Sequence, residues 1–187
     1  MSDILSDELR IVPIVEEHIA GFQRCLDVVA RERRYLALVE APPIESVAVF
    51  VRRNIAEGYP QFVAVLDGEV VGWCDIIPIP TEGFTHCGRL GMGVLPAHRG
   101  RGIGRSLLEH TVARAREIGL ERVELEVYAS NTEALQMYES AGFVTEGVKR
   151  GARKIDGTVD DVIEMVLFLT PEPAPDAAHN PLELGER

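Results

Sequence analysis

A glycine- and arginine-rich turn at residues 98–105, "HRGRGIGR", constrains the fold more than any other feature of this sequence. An apolar strand pattern at 88–95 precedes it, and an apolar helical stripe follows it as far as residue 118. A second strand pattern, 121–127, comes directly after the helix stop at Gly119. This order of strand, helix and strand predicts a right-handed crossover between two parallel strands.

The other hydrophobic patterns extend this crossover into a mixed α/β fold. Asp67-Gly68 and Asp156-Gly157 are typical hairpin turns, and Ser130 with Glu133 three residues later predicts a capping box. The predicted order is β-α-α-β-β-β-α-β-α-β-β, a twisted mixed sheet with helices on both faces. The remaining predicted elements are a strand at 9–15, helices at 16–39 and 44–58, a hairpin at 61–78, and, after a helix that ends at Gly142, a hairpin at 143–169.

The 187 residues suffice for a single domain with a real core, which we place at 1–170. Residues 171–187 are rich in proline and acidic residues, so we expect a disordered tail there. The N-terminus lacks an apolar secretory segment, and no apolar run approaches the ~20 residues that span a bilayer. We therefore expect a cytoplasmic protein that does not bind a membrane.

The charge of the chain bears on its partners. A net charge of -11 and a pI of about 4.9 disfavour nucleic-acid binding, which needs a basic surface, and favour cationic partners such as amines. His86, Cys87 and His98 lack the spacing of metal ligands, so we expect no metal site.

The turn at 98–105 has the chemistry of an anion site. Glycines let an anion approach the backbone of a helix N-terminus, and the arginines add positive charge, so a pyrophosphate is the expected ligand. The alternative is a tight connection without a ligand. The spacing does not fit the dinucleotide fingerprint, and no lysine follows as in a P-loop, which disfavours a nucleotide-binding protein.

The pattern Arg99-x-x-Gly102-x-Gly104 resembles the acyl-CoA pyrophosphate loop of the GNAT superfamily of N-acetyltransferases. The resemblance extends over about residues 60–169 and thins out over the first 60. In its second half the chain is most similar to the ribosomal-protein-alanine N-acetyltransferases. That match lies at Leu125-Glu126-Val127, Ser130-Asn131 and Tyr138.

The resemblance implies that acetyl-CoA is the cosubstrate. Met92, Gly93 and Val94 would hold the pantetheine arm and polarise the thioester carbonyl, although two glycines within this strand also fit a plain bulge. Asn131 would bond the pantetheine from the other side, or serve as a helix-start residue. The cofactor-binding residues implied are Met92, Gly93, Val94, Arg99, Gly100, Arg101, Gly102, Ile103, Gly104, Arg105 and Asn131.

The same resemblance implies two catalytic residues. Glu126 aligns with a glutamate that acts as a base through water, and the alternative is a structural or substrate-positioning carboxylate. Tyr138 would protonate the CoA sulfur, and the alternative is core packing. Trp73 and Asp75 lie on a strand that borders the acceptor cleft in this family, although packing is the expected role of Trp73. Residues 31–43 would form part of the acceptor wall.

These features predict an N-acetyltransferase that moves an acetyl group from acetyl-CoA to a primary amine within a ternary complex. The acceptor would be a small molecule or a peptide N-terminus, and the resemblance suggests a homodimer. The alternative is a non-catalytic acyl-CoA-binding sensor or interaction module, which would need neither Glu126 nor Tyr138.

Overall fold

The computed structural model describes residues 9–170. They form one seven-stranded sheet with the order β1-β2-β3-β4-β5-β7-β6 and four helices. The predicted element order is confirmed. The elements are β1 (Arg10–Pro13), α1 (Ile19–Arg31), α2 (Ile44–Glu57), β2 (Gln61–Leu66), β3 (Glu69–Pro78), β4 (Cys87–Val94), α3 (Ile103–Glu117), β5 (Arg122–Tyr128), α4 (Thr132–Ser140), β6 (Val144–Ile155) and β7 (Thr158–Phe168).

The predicted crossover is present between β4 and β5, which pair in parallel and are joined through α3. The other strand pairs within residues 9–170 are antiparallel. At the two short hairpins, Asp67 and Gly68 have φ of 51° and 80°, and Asp156 and Gly157 have φ of 49° and 79°. Two consecutive positive φ angles are what a type I′ turn requires, so both hairpin predictions are confirmed.

Helices cover both faces of the sheet, as predicted. On one face α1 and α2 pack over a cluster that includes Phe22, Val51 and Trp73. On the opposite face α3 and α4 pack over a cluster that includes Leu107, Val123 and Tyr138. The central strands of the sheet are therefore largely buried, whereas most residues of β6 at its edge are exposed.

The predicted helix at 16–39 is too long. A 3₁₀ turn occupies Glu16–His18, α1 ends at Arg31, and Arg33 adopts a left-handed φ of 55°. Both Nε and Nη2 of Arg33 donate to the Asp156 carboxylate, at 2.7 and 2.8 Å. We attribute the early end of the helix to this tertiary contact, which holds the following segment against the β6–β7 turn.

The predicted capping box at Ser130 is wrong by one residue. Asn131 is the N-cap of α4, and its side-chain oxygen accepts from the Ala134 N–H at 3.4 Å. The Ser130 hydroxyl instead donates to Asp160 Oδ2 of β7 at 2.5 Å. Because its hydroxyl is bonded to Asp160, 30 residues away in the sequence, Ser130 does not cap the helix.

The segment predicted to be a disordered tail, 171–187, lies outside the described residues. Over 9–170 none of the helices combines the length and apolarity needed to cross a bilayer.

Candidate active site

A cleft opens where β4 and β5 part. The two strands are in register only at Cys87↔Arg122, Gly88↔Val123 and Arg89↔Glu124, and beyond these pairs they diverge. The resulting cleft has a volume of about 730 Å³. It is bounded by the chain after α1, by the turn before α3 and by α4.

Most of the residues predicted for the site line this cleft. Arg101 does not: its side chain is exposed, with Nη1 3.4 Å from His98 Nδ1. The predicted site residues that do line the cleft are Met92, Gly93, Val94, Arg99, Gly100, Gly102, Ile103, Gly104, Arg105, Glu126, Asn131 and Tyr138. The residues that the family resemblance implied therefore lie, apart from Arg101, on one connected surface.

Other cleft residues come from parts of the sequence without a motif. Tyr35, Leu36 and Ala37 belong to the segment that we expected in the acceptor wall. Arg89 and Met137 also line the cleft and were not predicted. Their positions follow from the divergence of β4 and from the packing of α4, for which we find no sequence signal.

The turn before α3 fits a pyrophosphate. Gly100 and Gly102 have φ of 69° and 80°, and a Cβ on either would meet no atom within 4 Å. The Ser106 N–H donates to Gly102 O, so by helix geometry the preceding N–H groups lack intrahelical acceptors. Open space, free N–H donors and the positive end of the helix dipole together suit an anionic ligand.

The Arg99 side chain is already engaged within the protein. Its Nε donates to Val94 O at 2.9 Å, and its guanidinium makes a two-point ion pair with Glu32 at the end of α1. The guanidinium also lies 4.7 Å from the centre of the Tyr35 ring. Arg99 therefore ties β4 and the loop to the chain after α1, and its charge is largely matched by Glu32.

The glycines of β4 permit close approach of side chains from β3. A Cβ on Gly93 would lie 2.4 Å from Trp73 Cη2, and one on Gly91 would lie 3.4 Å from Asp75 Oδ1. The β3–β4 register continues unbroken from Gly72 to Pro78, so the plain bulge considered for this strand is absent. Because these glycines have no side chains, Trp73 and Asp75 can lie against β4 on the α1/α2 face of the sheet.

Tyr138 projects from α4 into the lining of the cleft while remaining buried. Its ring centre lies 5.6 Å from that of Phe143, so the core-packing role is present. Burial raises the pKa of the Tyr138 phenol above its ordinary value, and the nearby Cys74 raises it further. The phenol is therefore protonated at neutral pH and is a weaker acid than a solvated tyrosine.

Glu126 lies on the α1/α2 face of β5, opposite to the face that buries Leu125 and Val127. Its side chain is 59% exposed, and Lys149 Nζ of β6 donates to its Oε1 at 2.8 Å. Lys149 also contacts Glu164 Oε1 of β7 at 2.6 Å. Glu126 is thus a solvated carboxylate at the rim, with a cation already beside it.

Within residues 9–170 no group of three or more histidine, cysteine, aspartate or glutamate side chains is placed to hold a metal ion. His86, Cys87 and His98, the residues considered for such a site, do not form one.

Comparison with known proteins agrees with this geometry. Residues 23–143 match the model of the Acetyltransferase (GNAT) family. The chain is 30% identical over 132 residues to the L-amino acid N-acyltransferase MnaT of Escherichia coli, covering 70% of this chain and 76% of that protein. It is 36% identical over 76 residues to the Escherichia coli [Ribosomal protein bS18]-alanine N-acetyltransferase, covering 41% of this chain and 51% of that protein.

Solved structures agree on the fold. A ribosomal-protein-alanine N-acetyltransferase from Brucella melitensis superposes with a TM-score of 0.79 at 25% identity, covering 86% of this chain and 99% of that one. The structure of yncA from Salmonella typhimurium with its cofactor acetyl-CoA superposes with a TM-score of 0.83 at 22% identity, covering 90% and 98% of the two chains. The chain, with its diverging β4 and β5 and its glycine-rich turn before α3, therefore belongs to the Acetyltransferase (GNAT) family.

Proposed function

We propose that the protein transfers an acetyl group from acetyl-CoA to a primary amine by direct attack within a ternary complex. The observation that carries the proposal is the cleft, which brings the glycine-rich turn, a buried phenol and a carboxylate onto one surface. A module that only binds acyl-CoA would need the turn but neither Tyr138 nor Glu126.

Two segments would hold acetyl-CoA. The turn from Gly100 to Arg105 would bind the pyrophosphate through backbone N–H groups. The unpaired edge of β4 from Met92 to Val94 would bind the pantetheine arm as an added strand, and one of its N–H groups would polarise the thioester carbonyl. Asn131 already uses its side-chain oxygen as the cap of α4, so its amide nitrogen would be the group that faces the pantetheine.

The remaining site residues would handle protons. The amine attacks as the neutral form, while a lysine-type amine of pKa ~10.4 is almost fully protonated at neutral pH. We propose Glu126 as the carboxylate that meets the amine at the rim, either as a base through water or as a positioning group. Tyr138 would donate a proton to the departing thiolate.

The acceptor class remains a small-molecule amine or a peptide N-terminus. The relatives carry names of both kinds, an L-amino acid N-acyltransferase and a ribosomal-protein-alanine N-acetyltransferase. The net charge of -11 favours a cationic acceptor over a nucleic acid or an anionic membrane surface. A cytoplasmic location stays part of the proposal, and the family resemblance keeps a homodimer in it.

Acetyl-CoA binding is tested by Gly102→Ala, with Gly68→Ala as a matched control. Both glycines have φ of 80° with open space at the Cβ position, so the backbone strain should be similar. Only the Gly102 variant places a methyl group against the proposed pyrophosphate. We expect its acetyl-CoA affinity, measured by calorimetry, to fall by about tenfold or more, the equivalent of one lost good contact. Equal affinities of the two variants would contradict this assignment.

The role of Tyr138 is tested by Tyr138→Phe, which keeps the packing against Phe143 and removes the hydroxyl. We expect turnover at saturating acetyl-CoA to fall by roughly one to two orders of magnitude while acetyl-CoA affinity is retained. A residual rate is expected because a thiol of pKa ~8.5 is a stronger acid than tyrosine and leaves without full protonation. Unchanged turnover would reduce Tyr138 to a packing residue.

A further inference from the structure

Asp75 occupies an unusual position in the middle of the sheet. In the strand register Asp75 of β3 lies between Gln61 of β2 and Gly91 of β4. Residues that face each other across paired strands share a face, and Trp73, two residues earlier, packs its ring against Phe22 of α1. The Asp75 carboxylate therefore stands on the α1/α2 face, directly over Gly91.

Gly91 connects Asp75 with the cleft. It lines the cleft, and it follows the last β4–β5 pair, Arg89↔Glu124, by two residues. A Cβ built on Gly91 would lie 3.4 Å from Asp75 Oδ1, so nothing on β4 separates this carboxylate from the space above Gly91. A ligand that rests on Gly91 from the α1/α2 side would contact Asp75.

The Asp75 carboxylate has no compensating partner among residues 9–170. It is only 9% exposed, and no hydrogen bond or ion pair of the described residues engages it. Its neighbour Gln61 is buried too, and Gln61 Nε2 likewise lacks a partner there, whereas its Oε1 accepts from Asn54 Nδ2 of α2 at 2.9 Å. Burying such a carboxyl without a partner is unfavourable, so packing alone does not explain its presence.

The charge state of Asp75 suits proton transfer. Burial raises its pKa to about 7, and no charged side chain of the described residues contributes to this shift. Gln61, which faces the Asp75 carboxylate, is neutral, and so is Asn54, which donates a hydrogen bond to Gln61. Arg89 lies on the same face of the sheet, two residues before Gly91. A base with a pKa near the working pH is the most effective kind. Glu126, by contrast, is solvated and paired with Lys149.

We propose that Asp75 accepts the proton of the acceptor amine bound over Gly91, which assigns the positioning role to Glu126. This inference rests on the proposed acetyl transfer. The ammonium N–H bond breaks and its proton passes to the Asp75 carboxylate. The freed nitrogen lone pair forms the C–N bond at the thioester carbonyl carbon, and the C–S bond breaks. The thiolate takes up a proton from Tyr138, and the second proton, which the nitrogen loses as the amide forms, passes through water to the Tyr138 phenolate. The proton held by Asp75 returns to solvent.

The test is Asp75→Asn, which removes the base at nearly constant shape. Glu69→Gln is the control, because it removes an exposed carboxylate from the same strand with the same change of charge. We expect kcat/KM for the amine to fall by about 100-fold or more at pH 7 in the Asn variant, the usual contribution of a general base. Acetyl-CoA affinity, measured by calorimetry, should stay as in the wild type.

The pH profile separates a base from a structural residue. Because the Asn variant depends on amine already neutral in solution, its kcat/KM should rise with pH towards the wild-type value near the pKa of the acceptor. If the wild type is active and Asp75→Asn has the same rate and pH profile, the proposed role of Asp75 is wrong while the proposed acetyl transfer stands. A uniform loss at all pH values would assign it a structural role. No CoA release by the wild type would overturn the proposed function as well.

Discussion

Gly93→Ala destabilises the protein by about 3 kcal/mol, the upper range for overpacking a well-filled core. The added Cβ would lie 2.4 Å from Cη2 and 2.6 Å from Cζ3 of Trp73. The indole has little freedom to move, because it is buried and its ring centre lies 5.7 Å from that of Phe22 in an edge-on contact. The strand or the indole must shift, and Gly93 itself lines the cleft.

Gly91→Ala is the matched control for this substitution. It changes the same strand on the same face, but its Cβ meets Asp75 Oδ1 at 3.4 Å, which is ordinary contact. Urea unfolding should show a much smaller loss for Gly91→Ala than for Gly93→Ala. Trp73→Leu should lessen the effect of Gly93→Ala by making room for the methyl group. Equal losses for the two glycine variants would mean that the strand conformation, and not the Trp73 contact, requires glycine.

Asp75→Asn becomes more stable relative to the wild type as the pH rises from 4 to 8. The Asp75 pKa is about 7 in the folded protein and 3.8 in the unfolded reference. Between these values the native state holds a proton that the unfolded chain has released, so wild-type stability falls as the pH rises. Asparagine does not titrate, so the variant avoids a loss of up to ~4 kcal/mol.

Urea unfolding of both proteins at several pH values between 4 and 8 measures this effect. The difference between their free energies of unfolding should widen with pH and level off above the folded pKa of Asp75. Glu69→Gln should follow the wild type, since Glu69 is exposed and carries only a surface ion pair with Arg24. Parallel curves for Asp75→Asn and the wild type would show that the carboxyl is not buried as the structure has it.

Together with the kinetic test, the predicted pH dependence would show that Asp75 lowers the stability of the folded protein and supports turnover. Such an opposition is typical of active-site groups, which are often held in unfavourable surroundings. A carboxyl whose removal raised stability without lowering activity would have no functional explanation in this structure.

The sequence predicts the element order because its stop and turn signals are local. Asp67-Gly68 and Asp156-Gly157 have the left-handed conformations that type I′ turns demand, and Gly58 ends α2 with a φ of 66°. Where a distant contact competes, the local signal fails. Asp156 holds Arg33 beyond the true end of α1, and Asp160 takes the Ser130 hydroxyl away from α4.

The site divides in the same way. The turn at Gly100–Arg105 could be predicted as an anion site because its glycines and arginines are consecutive in the sequence. The ion pair between Glu32 and Arg99 joins residues 67 positions apart, and no local sequence pattern predicts it. Asp75 reads as one acidic residue within an apolar strand, and its burial and lack of a partner follow only from the register with Gln61 and Gly91.

The most direct test of the account is CoA release from acetyl-CoA, followed by thiol detection, with polyamines, amino acids, aminoglycosides and N-terminal peptides as acceptors. We expect CoA release that requires both acetyl-CoA and one class of amine, and that is reduced in Tyr138→Phe. Calorimetric binding of acetyl-CoA without release for any amine class would contradict it, and would identify the protein as an acyl-CoA-binding module.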